Sequence, residues 1–263
     1  MEPLQYIPGN IPVIISMPHT GTDVPQPILN RFTPAAKQLD DTDWHIHRLY
    51  YFAKDMGLHC VVAQYSRYVI DLNRPPDDRS LYPGKFTTGL VPTLMFDGSP
   101  IYEDGQQPDN AEVTQRIEQY WQPYHFKLRS LIDELRARHG KVVLFDAHSI
   151  RSQVSTLFDG VLPDLNIGTA DGTSCAAALA DDVFACAKAS GYSAVMNGRF
   201  KGGYITRHYG NPAVGVHTIQ LELAQKNYMQ EDYPFAYDEG KARQLQVVLQ
   251  SLTKKIEQFI FQI

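Results

Sequence analysis

Val142, Val143, Leu144 and Phe145 stand in a row with no polar residue between them. A strand with one wet face alternates apolar and polar residues. One without alternation needs cover on both faces. The run Ile11–Met17, IPVIISM, reads the same way, and Leu58–Ala63, Arg67–Leu72, Ser193–Met196 and Gly215–Leu223 are further strand-length runs. Helical spacing occupies the segments between them. It covers Asp43–Met56, with Thr42 or Asp43 as N-cap and Gly57 at the end, and Asn110–His139, bent at Pro123. It also covers an Ala-rich stretch from about Ser174 to Ser190, and Asp238–Phe261. This alternation predicts the α/β class, a three-layer α/β/α arrangement around a mixed, mostly parallel sheet. No repeat, low-complexity tract or shift in composition divides the chain, so one domain over residues 1–263 is expected. In such sheets ligands collect at strand ends.

The strand ends carry unexpected residues. In KVVLFDAHSIRS, Lys141–Ser152, the apolar run gives way to Asp146, His148 and Ser149. The first run stops at Pro18-His19-Thr20-Gly21. A lone imidazole is commonly a satisfied polar residue, but two at strand ends can converge on one metal ion. A hydrolytic metal site has three protein ligands and an open position for water. The run Leu39–His47, LDDTDWHIH, offers the third: Asp43, with Asp41 as the alternative. Helix capping accounts for some of its acids as well. His45 and His47, two residues apart, diverge on a helix and cannot form a pair. Asp146, two residues before His148, either steadies the imidazole or is a turn residue at the strand end.

Glu222 lies in GVHTIQLEL between Leu221 and Leu223. Burial would raise the pKa of such a carboxyl toward neutrality, which suits a general base; a salt-bridged Glu at a strand end is the alternative. In SRYVIDLNRPP, Arg67 opens the segment and Asn73-Arg74 close it, while Arg207 and His208 sit in the Gly-flanked GGYITRHYG. Arginine fixes carboxylates bidentately and stabilises oxyanions, although any single one is as readily a solvated surface residue. Asn73–Asp109 is long and rich in Pro, Gly and Asp, with a hairpin signal at Asp97-Gly98, and reads as a loop excursion covering the site.

Several function classes are excluded. The net charge is -5 and no dense Lys/Arg run exists, so neither nucleic acid nor a membrane surface is an expected partner. The three cysteines, Cys60, Cys175 and Cys186, are scattered and form no CxxC pair, which points to a reducing compartment. With no signal-peptide pattern and no bilayer-length apolar run, a cytoplasmic location is expected. Ser149 lies beside His148 but in no GxSxG elbow, which weakens a serine-hydrolase reading.

Taken as an ordered set from about Ile11 to Met229, SMPHTG, DTDWHIHRLY, SRYVIDLNR, FDGSPIY, LFDAHSIRS, LPDLNIGTADGTSC, GGYITRHYG and VHTIQLELAQKNYM resemble the N-formylglutamate amidohydrolase family. The LELAQ ending resembles the branch of that family that serves histidine degradation. The resemblance implies a zinc-carboxypeptidase-like fold, with His19 and His148 as metal ligands and Glu222 as general base. It implies that Arg67 polarises the scissile carbonyl and that Asn73 and Arg74 grip a substrate carboxylate, with Arg207 available for a second one. Zinc carboxypeptidases place a Glu three residues after their first ligand His, whereas Thr22 stands there in this chain; Asp43 as third ligand is therefore an inference. The expected activity is metal-dependent hydrolysis of N-formyl-L-glutamate, a small-molecule N-acyl amino acid, to formate and L-glutamate. Zinc is the expected metal, with cobalt or another divalent ion as alternatives. The competing readings are a deacylase or carboxypeptidase-like hydrolase of another N-acyl amino acid, and a non-catalytic metallo-fold that binds a dicarboxylate.

Overall fold

A strand that is apolar on both faces demands two helical layers, and both are present. A computed structural model describes residues 2–80 and 87–261. Among them the strands are β1 (Leu4–Ile7), β2 (Val13–Met17), β3 (His59–Ala63), β4 (Val142–Ile150), β5 (Leu165–Gly168), β6 (Ala194–Met196) and β7 (Val216–Ala224). They join one sheet in the order β1-β3-β2-β4-β7-β5-β6. β3, β2, β4 and β7 run parallel to one another, and β6 is parallel to β5. β1 is antiparallel to β3, and β5 to β7. The sheet is mixed and mostly parallel, as the sequence predicts. The α-helices are α1 (Gln26–Leu29), α2 (Ile46–Leu49), α3 (Asn110–Arg116), α4 (Gln122–His139), α5 (Ala177–Lys188), α6 (Tyr204–Tyr209) and α7 (Glu239–Phe261).

Residue parity divides the core. Val13, Ile15, Val143, Phe145, Ile219 and Leu221 pack against α2, α5 and α7. Ile14, Val142, Leu144 and Val216 pack on the opposite face against α4 and α6. Each such side chain, fully buried, contributes roughly 1.5–3 kcal/mol. The even face of β4 therefore starts apolar, at Val142 and Leu144, and turns polar at Asp146 and His148. The register Asp146↔Gln220 and His148↔Glu222 sets two polar residues of β7 beside them. The polar strand ends thus lie on the α4/α6 side of the sheet. Gly21, just past β2, leaves room for the chain to cross the end of β3: a Cβ there would sit 2.4 Å from the Gln64 carbonyl carbon.

Several segments depart from expectation. His148 lies within β4, which runs on through the DAHS segment, instead of after a strand. The helix expected over Asp43–Met56 is broken: α2 has four residues, His45 before it is left-handed at φ 61°, and a 3₁₀ turn follows at Tyr51–Ala53. The cause is tertiary, because the Asp43 N–H donates to the His19 carbonyl and ties the start of the segment to the loop after β2. Arg67–Leu72 is not a strand but a series of turns, with Val69 N bonded to Ser66 O and Arg74 N to Asp71 O. Asp97-Gly98 does form a tight turn, with Gly98 at φ 88°, but an isolated bridge between Leu94 and Pro100 takes the place of paired strands. Between Asn110 and His139 the irregularity is a π-helical segment, Ile117–Trp121, directly before α4 and Pro123. The Gly-flanked GGYITRHYG, outside every helix predicted from sequence, contains α6. β1 and β5 have no counterpart among the predicted strands. Of the Asn73–Asp109 excursion, residues 81–86 lie outside the described residues.

Candidate active site

The loop after β2, the break before α2 and the tip of β4 bring His19, Asp43 and His148 together. One donor atom from each lies within 4.8 Å of the others, and all three residues are buried. The neighbouring carboxylates decide which imidazole nitrogens face inward. His19 Nε2 is 2.7 Å from Asp71 Oδ1, and His148 Nε2 is 2.9 Å from Asp146 Oδ2. An ionised carboxylate only accepts, so both Nε2 atoms carry hydrogen. Nδ1 of His19 and of His148 then turn toward Asp43 Oδ2, at 3.8 Å and 3.1 Å. Carboxylate-backed imidazoles with a third, anionic donor form a set that suits a divalent cation. Electrostatics agree. Burial alone would lower the His148 pKa, but Asp146 and Asp43 outweigh it and hold it well above the usual value, so positive charge is favoured at this point. His19 goes the other way, pushed down by burial and by Arg67. Burial works against ionisation of Asp71, yet His19 and Arg67 hold its carboxyl well below the usual range.

Glu222 is buried beside His148. Burial pushes its carboxyl up to about 8, against the pull of His148 and with help from Asp43. Gln220 steadies it: Nε2 donates to Glu222 Oε2 at 3.3 Å while Oε1 accepts from the Gly203 N–H at 2.8 Å. Arg67 donates to Asp71 Oδ2 at 2.6 Å and lies 4.6 Å over the Phe96 ring. Asp41, the alternative third ligand, is occupied elsewhere. Its Oδ2 accepts from the Phe96 N–H at 2.8 Å, and it is not part of the His19–Asp43–His148 group. Burial raises its pKa to about 6.

A pocket of about 670 Å³, open mouth included, is lined by His19, His148, Glu222, Arg67, Asn73 and Arg74. Asn73 is doubly placed: Oδ1 accepts from the Ile205 N–H at 2.8 Å, and Nδ2 lies 3.1 Å from His148 Nε2. Because that nitrogen already carries hydrogen, the Asn73 amide keeps its own hydrogens for the pocket. Gly203 stands so close that a Cβ there would lie 2.3 Å from Asn73 Nδ2.

Arg207 does not line this pocket; it is exposed, and its Nε donates to the Gly202 carbonyl at 2.8 Å. Arg199 lines the pocket, with Nε bonded to Leu157 O at 2.6 Å. Sequence reasoning passed it over, although Gly198-Arg199-Phe200-Lys201-Gly202 carries the same mark, a cation between glycines, that singled out Arg207. Asp71 was missed too. Ile70 and Leu72 flank it as leucines flank Glu222, so the same signal was there.

Comparison with known proteins adds an independent line. A family model described as N-formylglutamate amidohydrolase matches residues 11–229. An N-formylglutamate deformylase of Pseudomonas putida is 50% identical over 254 residues, covering 96% of this chain and 95% of its own length. One from Pseudomonas aeruginosa is 49% identical over 256 residues, covering 97% and 96%. The crystal structure of N-formylglutamate amidohydrolase from Ralstonia eutropha JMP134 aligns with a TM-score of 0.83 at 26% identity, over 98% of both chains. A gene product of Agrobacterium tumefaciens, 18% identical, shares the fold with a TM-score of 0.74 over 98% of this chain and 96% of its own. The chain belongs to the N-formylglutamate amidohydrolase family.

Proposed function

We propose that this protein hydrolyses N-formyl-L-glutamate to formate and L-glutamate. The observation that carries the reading is the placement of buried Glu222 as register partner of His148, at a pocket that also presents Arg67, Asn73, Arg74 and Arg199. Relatives named N-formylglutamate deformylase, matched along nearly the whole chain, support the choice of substrate.

His19, Asp43 and His148 would hold a divalent cation, zinc in our reading, which supplies Lewis acidity to the formyl carbonyl and to water. The remaining work falls to the chain. Glu222 removes a proton from water as the water oxygen bonds to the formyl carbon. Arg67 donates to the oxyanion that forms on the former carbonyl oxygen; one such donor is worth about 3 kcal/mol. The carbon–nitrogen bond then breaks, and Glu222 returns the proton to the leaving amine. Arg74 and the Asn73 amide hold one substrate carboxylate. Arg199 takes the other, the role first assigned to Arg207. Asp71 and Asp146 fix the two imidazoles and touch no substrate.

We place the reaction at the last step of a histidine degradation route, in the cytoplasm. The free thiols of Cys60, Cys175 and Cys186 suit a reducing compartment. Among the described residues no helix is long and apolar enough to cross a membrane. The test is formate release from N-formyl-L-glutamate by chelator-stripped protein, before and after refilling with zinc or cobalt. Activity that disappears and returns supports both site and substrate. Metal-independent activity removes the metal assignment, and cleavage of N-acetyl- or N-benzoyl-glutamate instead redirects the reading to another deacylase.

A further inference from the structure

The DLNR segment supplies Asp71, Asn73 and Arg74 to the pocket, yet it belongs to no strand or helix. Its own hydrogen bonds hold Asp71, whose N–H reaches Leu90 O at 2.7 Å, and the Asn73 side chain, whose Oδ1 accepts from Ile205 N at 2.8 Å. The carbonyls on either side of Asn73 need partners too, and both find them on the long helical arm that ends in α4. His125 Nε2 donates to Leu72 O at 2.8 Å. Trp121 Nε1 donates to Arg74 O at 2.9 Å. The two rings stack with centroids 3.8 Å apart, and His125 Nδ1 accepts from the Tyr209 hydroxyl of α6 at 2.9 Å. A third donor on the same arm, Arg116 Nη1, reaches Val69 O at 2.9 Å.

The spacing of these donors is informative. Trp121 and His125 are four apart, and α-helical residues four apart share a face. Arg116 and Trp121 are five apart, and on a regular α-helix they would not. The π-helical segment Ile117–Trp121 lies between them. Its i→i+5 turn adds one residue to the repeat and brings Trp121 back onto the face that Arg116 begins.

We infer that the π turn is a positioning device: it aligns Trp121 and His125 on the carbonyls flanking Asn73 and thereby holds Asn73 and Arg74 in substrate-binding geometry. Trp121 and His125 are positioning residues and touch no substrate. The inference rests on the reading above, in which Arg74 grips a carboxylate of N-formyl-L-glutamate.

The test is steady-state formate release by Trp121→Phe, Arg74→Gln and the double variant, with thermal melts of each. Phe keeps the ring stacked on His125 and removes only the N–H. Trp121→Phe should raise KM about tenfold, the cost of one orphaned buried carbonyl, with kcat nearly unchanged. In the Arg74→Gln background its effect on KM should be clearly smaller than in the wild type, because part of what Trp121 positions is already gone. His125→Gln, which keeps a donor near the Nε2 position, should retain low KM where His125→Phe loses it. A Trp121→Phe protein with lower melting temperature but wild-type KM overturns the inference, as do additive effects in the double variant. If Arg74→Gln itself leaves KM unchanged, the carboxylate-binding reading has failed and the inference falls with it. An Arg74 effect without a Trp121 effect sinks the inference alone.

Discussion

His148 and Glu222 are register partners on the neighbouring parallel strands β4 and β7, and both are buried on the α4/α6 side of the sheet. The His148 imidazole and the candidate base are thereby set side by side by backbone pairing, not by a flexible loop. Replacing Glu222 by Gln preserves shape and removes the proton acceptor. Turnover of N-formyl-L-glutamate should fall by about 10²–10⁴-fold, while zinc content and melting temperature stay near those of the wild type. Wild-type turnover in that variant would take Glu222 out of the mechanism.

Asp146 acts one step further back, on the far nitrogen of His148. Asp146→Asn should weaken metal binding by about 10–100-fold, since the imidazole exchanges an anionic acceptor for a neutral one and loses basicity. Competition with a chromophoric chelator measures this directly. Unchanged affinity would reduce Asp146 to a strand-end residue.

Arg199 and Arg207 make opposite predictions. Arg199→Gln should raise KM for N-formyl-L-glutamate by about 10–100-fold, the value of a charge-assisted hydrogen bond. N-formyl-L-glutamine, which lacks the second carboxylate, should feel the change far less. Arg207→Gln should leave both substrates within about twofold of wild type, as expected for an exposed arginine outside the pocket. A reversal of the two effects would return the second carboxylate to Arg207.

His125 predicts an acid-side loss of stability. Burial lowers its pKa to about 3, against about 6.5 in an unfolded chain. The unfolded state therefore binds the extra proton as pH drops below about 6.5, and the folded state resists it until about 3. The His125 contribution is fully present above about pH 6.5 and is lost on the way down, with a slope of up to about 1.4 kcal/mol per pH unit. Urea midpoints between pH 7 and 4.5 should fall less steeply for His125→Gln than for wild type. Parallel pH profiles would show that His125 does not titrate in this way.

Gly203 has no unusual backbone angle; it is glycine because Asn73 fills the space a side chain would need. Gly203→Ala should displace the Asn73 amide and raise KM while the sheet stays intact, which circular dichroism with kinetics would reveal.

The parts of the site legible in the sequence were those with a local signature. His19, His148 and Glu222 stand out because a polar residue follows or interrupts an apolar run, and the strand period then states which face it takes. Asp43 was reachable only by asking what a third ligand required. The losses all trace to ties between distant segments. Asp43–Met56 has helical spacing, but the bond from Asp43 N to His19 O breaks the helix at its start. Arg67–Leu72 has strand composition but finds no neighbouring strand, because its side chains go separately to His19 and to two apolar clusters. Arg199 and Arg207 look alike in sequence, and only the path of the chain after β6 decides which one meets the pocket.

The sheet order has a consequence for biosynthesis. Of the seven strands among the described residues β7 is made last, yet it lies between β4 and β5, both of which precede it. The native place between β4 and β5 is filled only once residue 224 is available. Such non-local parallel pairing forms slowly and late. A nascent copy therefore carries His19, Asp43 and His148 before Glu222 is made, so the candidate base is the last of these four residues to reach the sheet.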